Sequence, residues 1–214
     1  MATALVVITD GRRQYLERAL ASADKHLPYF DYRLAVDDSA DLEFGRWLNR
    51  TFDGGTIHHG EKEGLSGAVR TAWEYLPAVD WVFHLEDDFV FPSDVPFDDM
   101  VDVCQQNGLA QMCLVRQPCN PTEAMAGGLL EGYPAPLERH DGFVTQSHLF
   151  SLNPCVYPAW VRAYGGWPEG GGEREFTDQL HKTRPDAKFG YWGEMGDPPR
   201  CIHIGASRTP TWKL

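Results

Sequence analysis

The sequence contains no CxxC pair: its five cysteines, Cys104, Cys113, Cys119, Cys155 and Cys201, are odd in number and scattered. That pattern supports neither a disulfide framework nor a zinc knuckle, and separate, mostly buried thiols are expected. No uninterrupted apolar run approaches the roughly 20 residues needed to cross a bilayer. The first apolar run, Leu5-Val6-Val7-Ile8, begins close to Met1 and leaves no basic region for a secretion signal, so a soluble, cytoplasmic protein with no membrane partner is expected. Positive charge is also scarce. With 19 Lys+Arg against 31 Asp+Glu, the formal net charge is −12, which disfavours broad electrostatic capture of nucleic acid or anionic membrane. Internal repeats and low-complexity tails are missing too. What is there is 214 residues at 43% hydrophobic content, enough to bury a substantial core in one domain.

In the first half, apolar runs alternate with helical periodicity. Residues 4–9 (ALVVIT) read as a strand, and after Asp10-Gly11 the residues Tyr15, Leu16, Ala19, Leu20 and Ala23 recur at helical spacing. Residues 32–36 (YRLAV) form a second strand that ends at Asp37-Asp38-Ser39. LEFGRWLNRTF is a second helix stopped by Gly54-Gly55, and 56–59 a third short strand. KEGLSGAVRTAWEYL then carries Leu65, Ala68, Val69, Ala72 and Leu76 along one stripe, ahead of WVFHLEDDFVF. The alternation predicts an α/β domain with a mainly parallel central sheet, whose ligands sit beyond the carboxyl ends of the strands. The second half is less regular, with a helix at 98–107, a strand at 111–116 and a breaker-rich excursion over 117–143. An extended stretch at 143–152, a short helix at 158–164, a Gly-rich loop at 165–172 and a helix in EREFTDQLHK follow.

The apolar run 81–85 ends in Glu86-Asp87-Asp88, and the chain turns apolar again at Phe89-Val90-Phe91. Two carboxylates about 4 Å apart repel by roughly 4 kcal/mol at an effective dielectric near 20, so such a cluster at the rim of a core needs a cation. A divalent metal is the economical solution. Hard oxygen ligands suit Mg2+ or Mn2+, which take one or two carboxylates together with substrate phosphate oxygens. A solvated acidic turn is the alternative, and the apolar flanks on both sides weigh against it.

The ordered set of motifs resembles the nucleotide-sugar-binding half of GT-A glycosyltransferases. It comprises a strand ending in Thr9-Asp10, a strand ending in Asp37-Asp38-Ser39, a Gly64-centred helix start with Arg70, and HLEDDFVFPSD. Within that group it is most similar to family-2-like enzymes, and its triplet resembles the EDD form of the DxD motif of N-acetylglucosaminyltransferases. Residues 164–180 (YGGWPEGGGEREFTDQL) resemble the acceptor-side GGFDE…GED…L segment, and PRCIHIG resembles the late strand that supplies a metal-binding histidine. The resemblance covers most of the chain in order, 98–142 excepted. It implies one Rossmann-like GT-A domain over 1–214, with a nucleotide-sugar half at 1–97 and an acceptor-side half at 98–214.

By that resemblance Thr9 and Asp37 hold the base and ribose, with Asp10 and Asp38 as neighbours able to substitute, and Arg70 faces the base or phosphates. Asp87 meets the ribose, Asp88 is the principal metal ligand, and Glu86 is the least defined nucleotide-sugar contact. His203, alone in an apolar strand, also fits a core histidine; the resemblance assigns it to the metal or diphosphate, because neutral imidazole completes a Mn2+ shell. An inverting transferase needs a carboxylate within hydrogen-bond reach of the acceptor hydroxyl. The family takes it from the Asp of a Glu-Asp pair, and Arg174 occupies that position here. Glu173 or Glu175 is then the candidate base, although glutamates in a first helical turn are also ordinary partners of the macrodipole. Trp167 and Trp192 sit in Gly-rich contexts where an aromatic face could cover a sugar, or simply pack.

These residues lead to an expectation of a glycosyltransferase using Mn2+ or Mg2+ and a nucleotide-diphosphate sugar, UDP-sugar being the family's commonest habit. The acceptor hydroxyl would belong to a protein, glycan, metabolite or modified nucleic-acid base. A nucleotidyltransferase is the first rival, but TDGRRQ has a single glycine with which to cradle a triphosphate. A non-catalytic nucleotide-sugar or glycan-binding module is the second, and the Arg174 departure keeps it open.

Overall fold

The computed structural model describes residues 1–118, 125, 128–131, 133–193 and 197–205. Strand β1 (Thr3–Thr9) sends Ala4, Val6 and Ile8 into one core and Leu5 and Val7 into another. A period of two with both faces apolar is what a strand covered by helices on each side requires. Strands β2 (Tyr32–Asp37) and β4 (Trp81–Glu86) flank it in parallel, and β3 (Gly55–His58) adds to β2. The chain continues through β5 (Phe89–Val90), β6 (Gln111–Leu114), β7 (Arg116–Gln117), β8 (Glu138–His140), β9 (Phe143–Gln146), β10 (Cys155–Pro158), β11 (Phe189–Trp192) and β12 (Cys201–His203). The nine-stranded sheet runs β3-β2-β1-β4-β10-β6-β11-β9-β8. Only β10 and β9 oppose the common strand direction among the described residues.

Helices α1 (Arg13–His26), α2 (Leu42–Thr51) and α4 (Phe97–Asn107) cover one face through Leu16, Phe44, Leu48, Met100 and Val101. The other face receives α3 (Gly64–Tyr75), α5 (Trp160–Ala163) and α6 (Glu173–Thr183) through Val69, Trp73, Val161, Phe176 and Leu180. Each large side chain so buried contributes about 1.5–3 kcal/mol. No helix among the described residues is long and apolar enough to cross a membrane.

The strand-helix alternation through β4 agrees with the sequence expectation, with boundaries shifted by a residue or so. Corrections fall in the second half. The extended stretch expected over 143–152 is a strand only as far as Gln146, and β10 and β11 occupy segments the sequence reading left unassigned. Strands β7 and β8 take up the ends of the 117–143 excursion, of which 119–124, 126–127 and 132 lie outside the described residues. Cys104, Cys113, Cys155 and Cys201 are free and buried, as expected; Cys119 lies outside the described residues.

A second sheet, β5-β12-β7, stands at the carboxyl end of the first. Asp87 and Asp88 form the turn between β4 and β5, where the chain leaves one sheet for the other. Phe89 and Val90 are apolar because they pair with His203 and Ile202 of β12.

Candidate active site

The carboxylates of the β4–β5 turn are buried, Asp87 at 1% and Asp88 at 3% exposure. Their cation is Arg12, from the loop after β1. Its Nε donates to Asp10 Oδ1 at 2.7 Å, its Nη1 to Asp88 Oδ2 at 2.7 Å, and its Nη2 to Asp87 Oδ1. Thr9 Oγ1 donates to Asp87 Oδ2 at 2.7 Å, and the register Ile8↔Glu86 sets these strand ends side by side. His203 Nε2 lies 3.2 Å from Asp88 Oδ2 and stacks on Phe89 with 4.7 Å between ring centroids. Burial pushes Asp87 up to about 6 in spite of Arg12 and Thr9. Burial acts the same way on Asp88, but the hydrogen bond from His203 and the charge of Arg12 outweigh it and hold its carboxyl below the usual value.

At the next strand end Asp37 is fully buried, accepting Ser39 N at 2.9 Å and meeting His58 Nδ1 at 2.7 Å. A carboxylate can only accept, so His58 carries its proton on Nδ1. The His58 side chain, 22% exposed, is the outward member of the pair. Helix α2 approaches this pair at Gly45, where an added Cβ would come within 2.8 Å of His58 Nδ1. Asp38 turns away from the ligand edge. It accepts Glu63 N and Gly64 N, each at 2.8 Å, and His59 Nδ1 at 2.9 Å, so it ties β2 to the start of α3. Unsatisfied N–H groups at a helix start draw a buried carboxylate, and Asp38 does this scaffold work here. Arg70 is paired with Glu63 Oε2 at 3.3 Å and does not reach the acidic cluster.

On the α3/α6 side, Glu173 opens α6 and accepts Leu152 N and the Ser151 hydroxyl. Burial raises its pKa against those bonds. Glu86 is raised further, by burial first and then by Asp88, Glu173 and Asp87, which brings Glu86 and Glu173 into one electrostatic unit. Glu175 faces solvent, where its Oε2 accepts the α6 N-cap amide of Gly172 at 2.8 Å. That bond holds Glu175 below its usual value and gives it the capping work of a first-turn glutamate. Trp167 is 3% exposed, stacked on Phe176 at 5.0 Å and edge-on to Trp73 at 5.5 Å. Its expected sugar-covering role is therefore replaced by core packing. Trp192, half-buried, packs against the core on the opposite face of the sheet from α6, so the two tryptophans do not share a wall.

Sequence reasoning missed Arg12, His58 and His59. His58 ends β3 and His59 follows it, at the same carboxyl edge that singled out Asp37, and that position was the available signal. Arg12 carried none, because Asp87 and Asp88, the partners that place it at the acidic turn, lie more than seventy residues away in sequence.

The donor set of Asp88 and His203 fits a divalent cation. Asp88 Oδ1 is buried with no hydrogen-bond partner, so a lone-pair oxygen is left over at the acidic cluster. His203 Nε2, 3.2 Å from Asp88 Oδ2, is a second donor beside that carboxylate which would be able to hold the same ion. Among the described residues no three His, Cys, Asp or Glu side chains form a complete cage. A two-ligand site whose shell is finished by phosphate and water is the Mg2+-type arrangement.

No protein-family model matches the sequence and no curated protein matches it. Solved structures do. The fold is similar to GalNAc-T7 with UDP, GalNAc and Mn2+, at TM-score 0.67 and 12% identity, over 100% of this chain and 45% of that one. It is similar to the mannosyltransferase PcManGT from Pyrobaculum calidifontis in complex with GDP-Man and Mn2+, at TM-score 0.63 and 14% identity, over 96% of this chain and 57% of that one. S. aureus TarS 1-349 matches at TM-score 0.58 and 14% identity, over 95% of this chain and 60% of that one. The chain thus spans 45% to 60% of the length of these structures. The likeness is one of fold: a mixed α/β domain with a large central sheet, matching GT-A glycosyltransferases.

Proposed function

We propose that the protein is a metal-dependent glycosyltransferase that moves a sugar from a nucleotide-diphosphate sugar to an acceptor hydroxyl, with inversion at the anomeric carbon. The observation that carries this reading is Asp88, whose buried, unpartnered Oδ1 and His203-facing Oδ2 lie at the carboxyl edge where α/β sheets bind ligands. Asp88 and His203 would hold Mn2+ or Mg2+. When bound, the ion supplies Lewis-acid stabilisation of the charge on the departing diphosphate.

The nucleoside lies across the ends of β1 and β2. Thr9 and Asp87 line one side, and His58 meets the base or ribose with Asp37 behind it. Glu173 serves as base in preference to Glu175, whose carboxylate is committed to the α6 cap. Burial raises the Glu173 pKa above its ordinary value, the direction that favours a general base. As the acceptor oxygen bonds to the anomeric carbon, the bond from that carbon to the diphosphate oxygen breaks, the acceptor proton passes to Glu173, and the nucleoside diphosphate leaves. Glu86, whose carboxyl feels the charge of Glu173, would contact the sugar. A UDP-sugar is the first donor to try and a GDP-sugar the second. The acceptor is a hydroxyl of a protein, glycan, metabolite or modified nucleic-acid base, and the net charge of −12 weighs against DNA.

The amides after β1 weigh against a nucleotidyltransferase, because Asp10 N points to Asp87 and Gly11 N to Thr9 Oγ1 instead of out toward a triphosphate. Incubation with a panel of UDP- and GDP-sugars and Mn2+, followed by measurement of free nucleoside diphosphate, tests the reading. Release of diphosphate in the native protein and its loss in Asp88→Asn are expected. Pyrophosphate release from nucleoside triphosphates, or binding without turnover, would replace the reading with one of its rivals.

A further inference from the structure

Three carboxylates, Asp10, Asp87 and Asp88, converge on the single guanidinium of Arg12. Arg12 is the cation that the three share. The contacts on Asp88 are unequal. Asp88 Oδ2 has both Arg12 Nη1 at 2.7 Å and His203 Nε2 at 3.2 Å, whereas Asp88 Oδ1 is buried with no partner. The backbone closes over the same spot. A Cβ on Gly205 would come 2.2 Å from Asp88 Oδ2 and 3.0 Å from Arg12 Nη1, and Ile204 N donates to the Asp88 carbonyl at 2.8 Å. Arg12 Nη1 and His203 Nε2 already share Asp88 Oδ2, so an ion drawn to that oxygen would meet the guanidinium there.

We propose that Arg12 is a resident cation of this cluster: it holds Asp87 and Asp88 assembled when no metal is bound, and it competes with the divalent ion for Asp88 Oδ2. It is a positioning residue whose presence weakens metal binding while making the metal-free fold self-sufficient. The inference rests on the reading of Asp88 as a metal ligand. Its sign differs from that of a simple structural pillar: loss of a pillar would scatter the carboxylates and weaken metal binding, whereas loss of a competitor strengthens it. A like charge within one contact distance, even at an effective dielectric near 20, is worth about tenfold or more in affinity.

The test measures Mn2+ binding by the loss of the free-ion electron paramagnetic resonance signal, with Mn2+ alone and again with saturating UDP. Thermal melts in EDTA and in Mn2+ are run beside it on the native protein, Arg12→Gln and Arg12→Lys. Arg12→Gln is expected to bind Mn2+ about tenfold or more tightly than the native chain, to melt lower in EDTA, and to recover most of that loss in Mn2+. A variant that is unfolded in EDTA and folded in Mn2+ has the same meaning. Should Arg12→Gln fold in neither, Arg12→Lys decides. Its single ammonium cannot span three carboxylates, so a larger Mn2+-induced rise in melting temperature than in the native chain is expected. Unchanged or weaker Mn2+ binding in the folded variants overturns the inference while leaving the functional reading in place. No Mn2+ binding by the native protein, with or without UDP, overturns both.

Discussion

Replacing His84 with leucine should make the protein less sensitive to acid. His84 lies in the middle of β4, opposite Val6 on one side and Cys155 on the other, and is fully buried. Both ring nitrogens lack a hydrogen-bond partner. Burial lowers its pKa from the ordinary 6.5 to about 3, so the folded protein keeps the ring neutral where the unfolded chain would protonate it. For a histidine depressed on folding, stability is complete above the unfolded value and falls as pH drops from about 6.5 toward 3. Between pH 7 and pH 5 the linkage amounts to about 2 kcal/mol, which in a domain of this length lowers the melting temperature by roughly 4–8 °C. Urea unfolding at both pH values, followed by tryptophan fluorescence, measures it. The native chain should lose about 2 kcal/mol more than His84→Leu on acidification, since every other titrating group is common to both. Equal losses, to within about 0.5 kcal/mol, would mean that His84 does not stay neutral in the folded state and would refute the reasoning.

Asp38→Ala strands the α3 amides of Glu63 and Gly64 and should cost about 2–4 kcal/mol by chemical denaturation. A near-native midpoint with weakened nucleotide binding would return Asp38 to the ligand site. Trp167→Ala, by opening a cavity against Phe176 and Trp73, should cost about 3–5 kcal/mol and leave donor KM unchanged; a donor KM defect at native stability would contradict that. Glu173→Gln should lower kcat by about two to four orders of magnitude, while Glu175→Gln should leave kcat near native with a lower melting temperature. The reverse pattern in steady-state kinetics would exchange their roles.

Much of the first half was legible because β1, α1, β2, α2 and α3 each bury a face that repeats at period 2 or 3.6. Strand β10 was hidden for a physical reason: Cys155-Val156-Tyr157 lies between Pro154 and Pro158, and its antiparallel pairing to β4 and β6 leaves no local trace. In β11, Gly190 weakens the strand pattern, and its backbone lies against the end of the Met112 side chain. At the site, the acidic turn could be read from a strand end, whereas Thr9, Asp10 and His203, which lie beside it, were assigned only by the family resemblance. The division of labour between Asp37 and Asp38, or between Glu173 and Glu175, could not be read. Each pair is split by which backbone amides lie in reach, and that depends on helices docking from elsewhere in the chain.

The antiparallel strand β10 has a consequence for how the chain is made. It sits between β4 and β6, so during synthesis the β4 edge stays unpaired until Pro158 has left the ribosome. An open apolar edge is a template for pairing with the wrong partner. Asp88 emerges long before His203, and for that interval Arg12, already made, is the charge at hand for it. The order of synthesis thus gives the arginine first claim on the acidic turn and delivers the imidazole last.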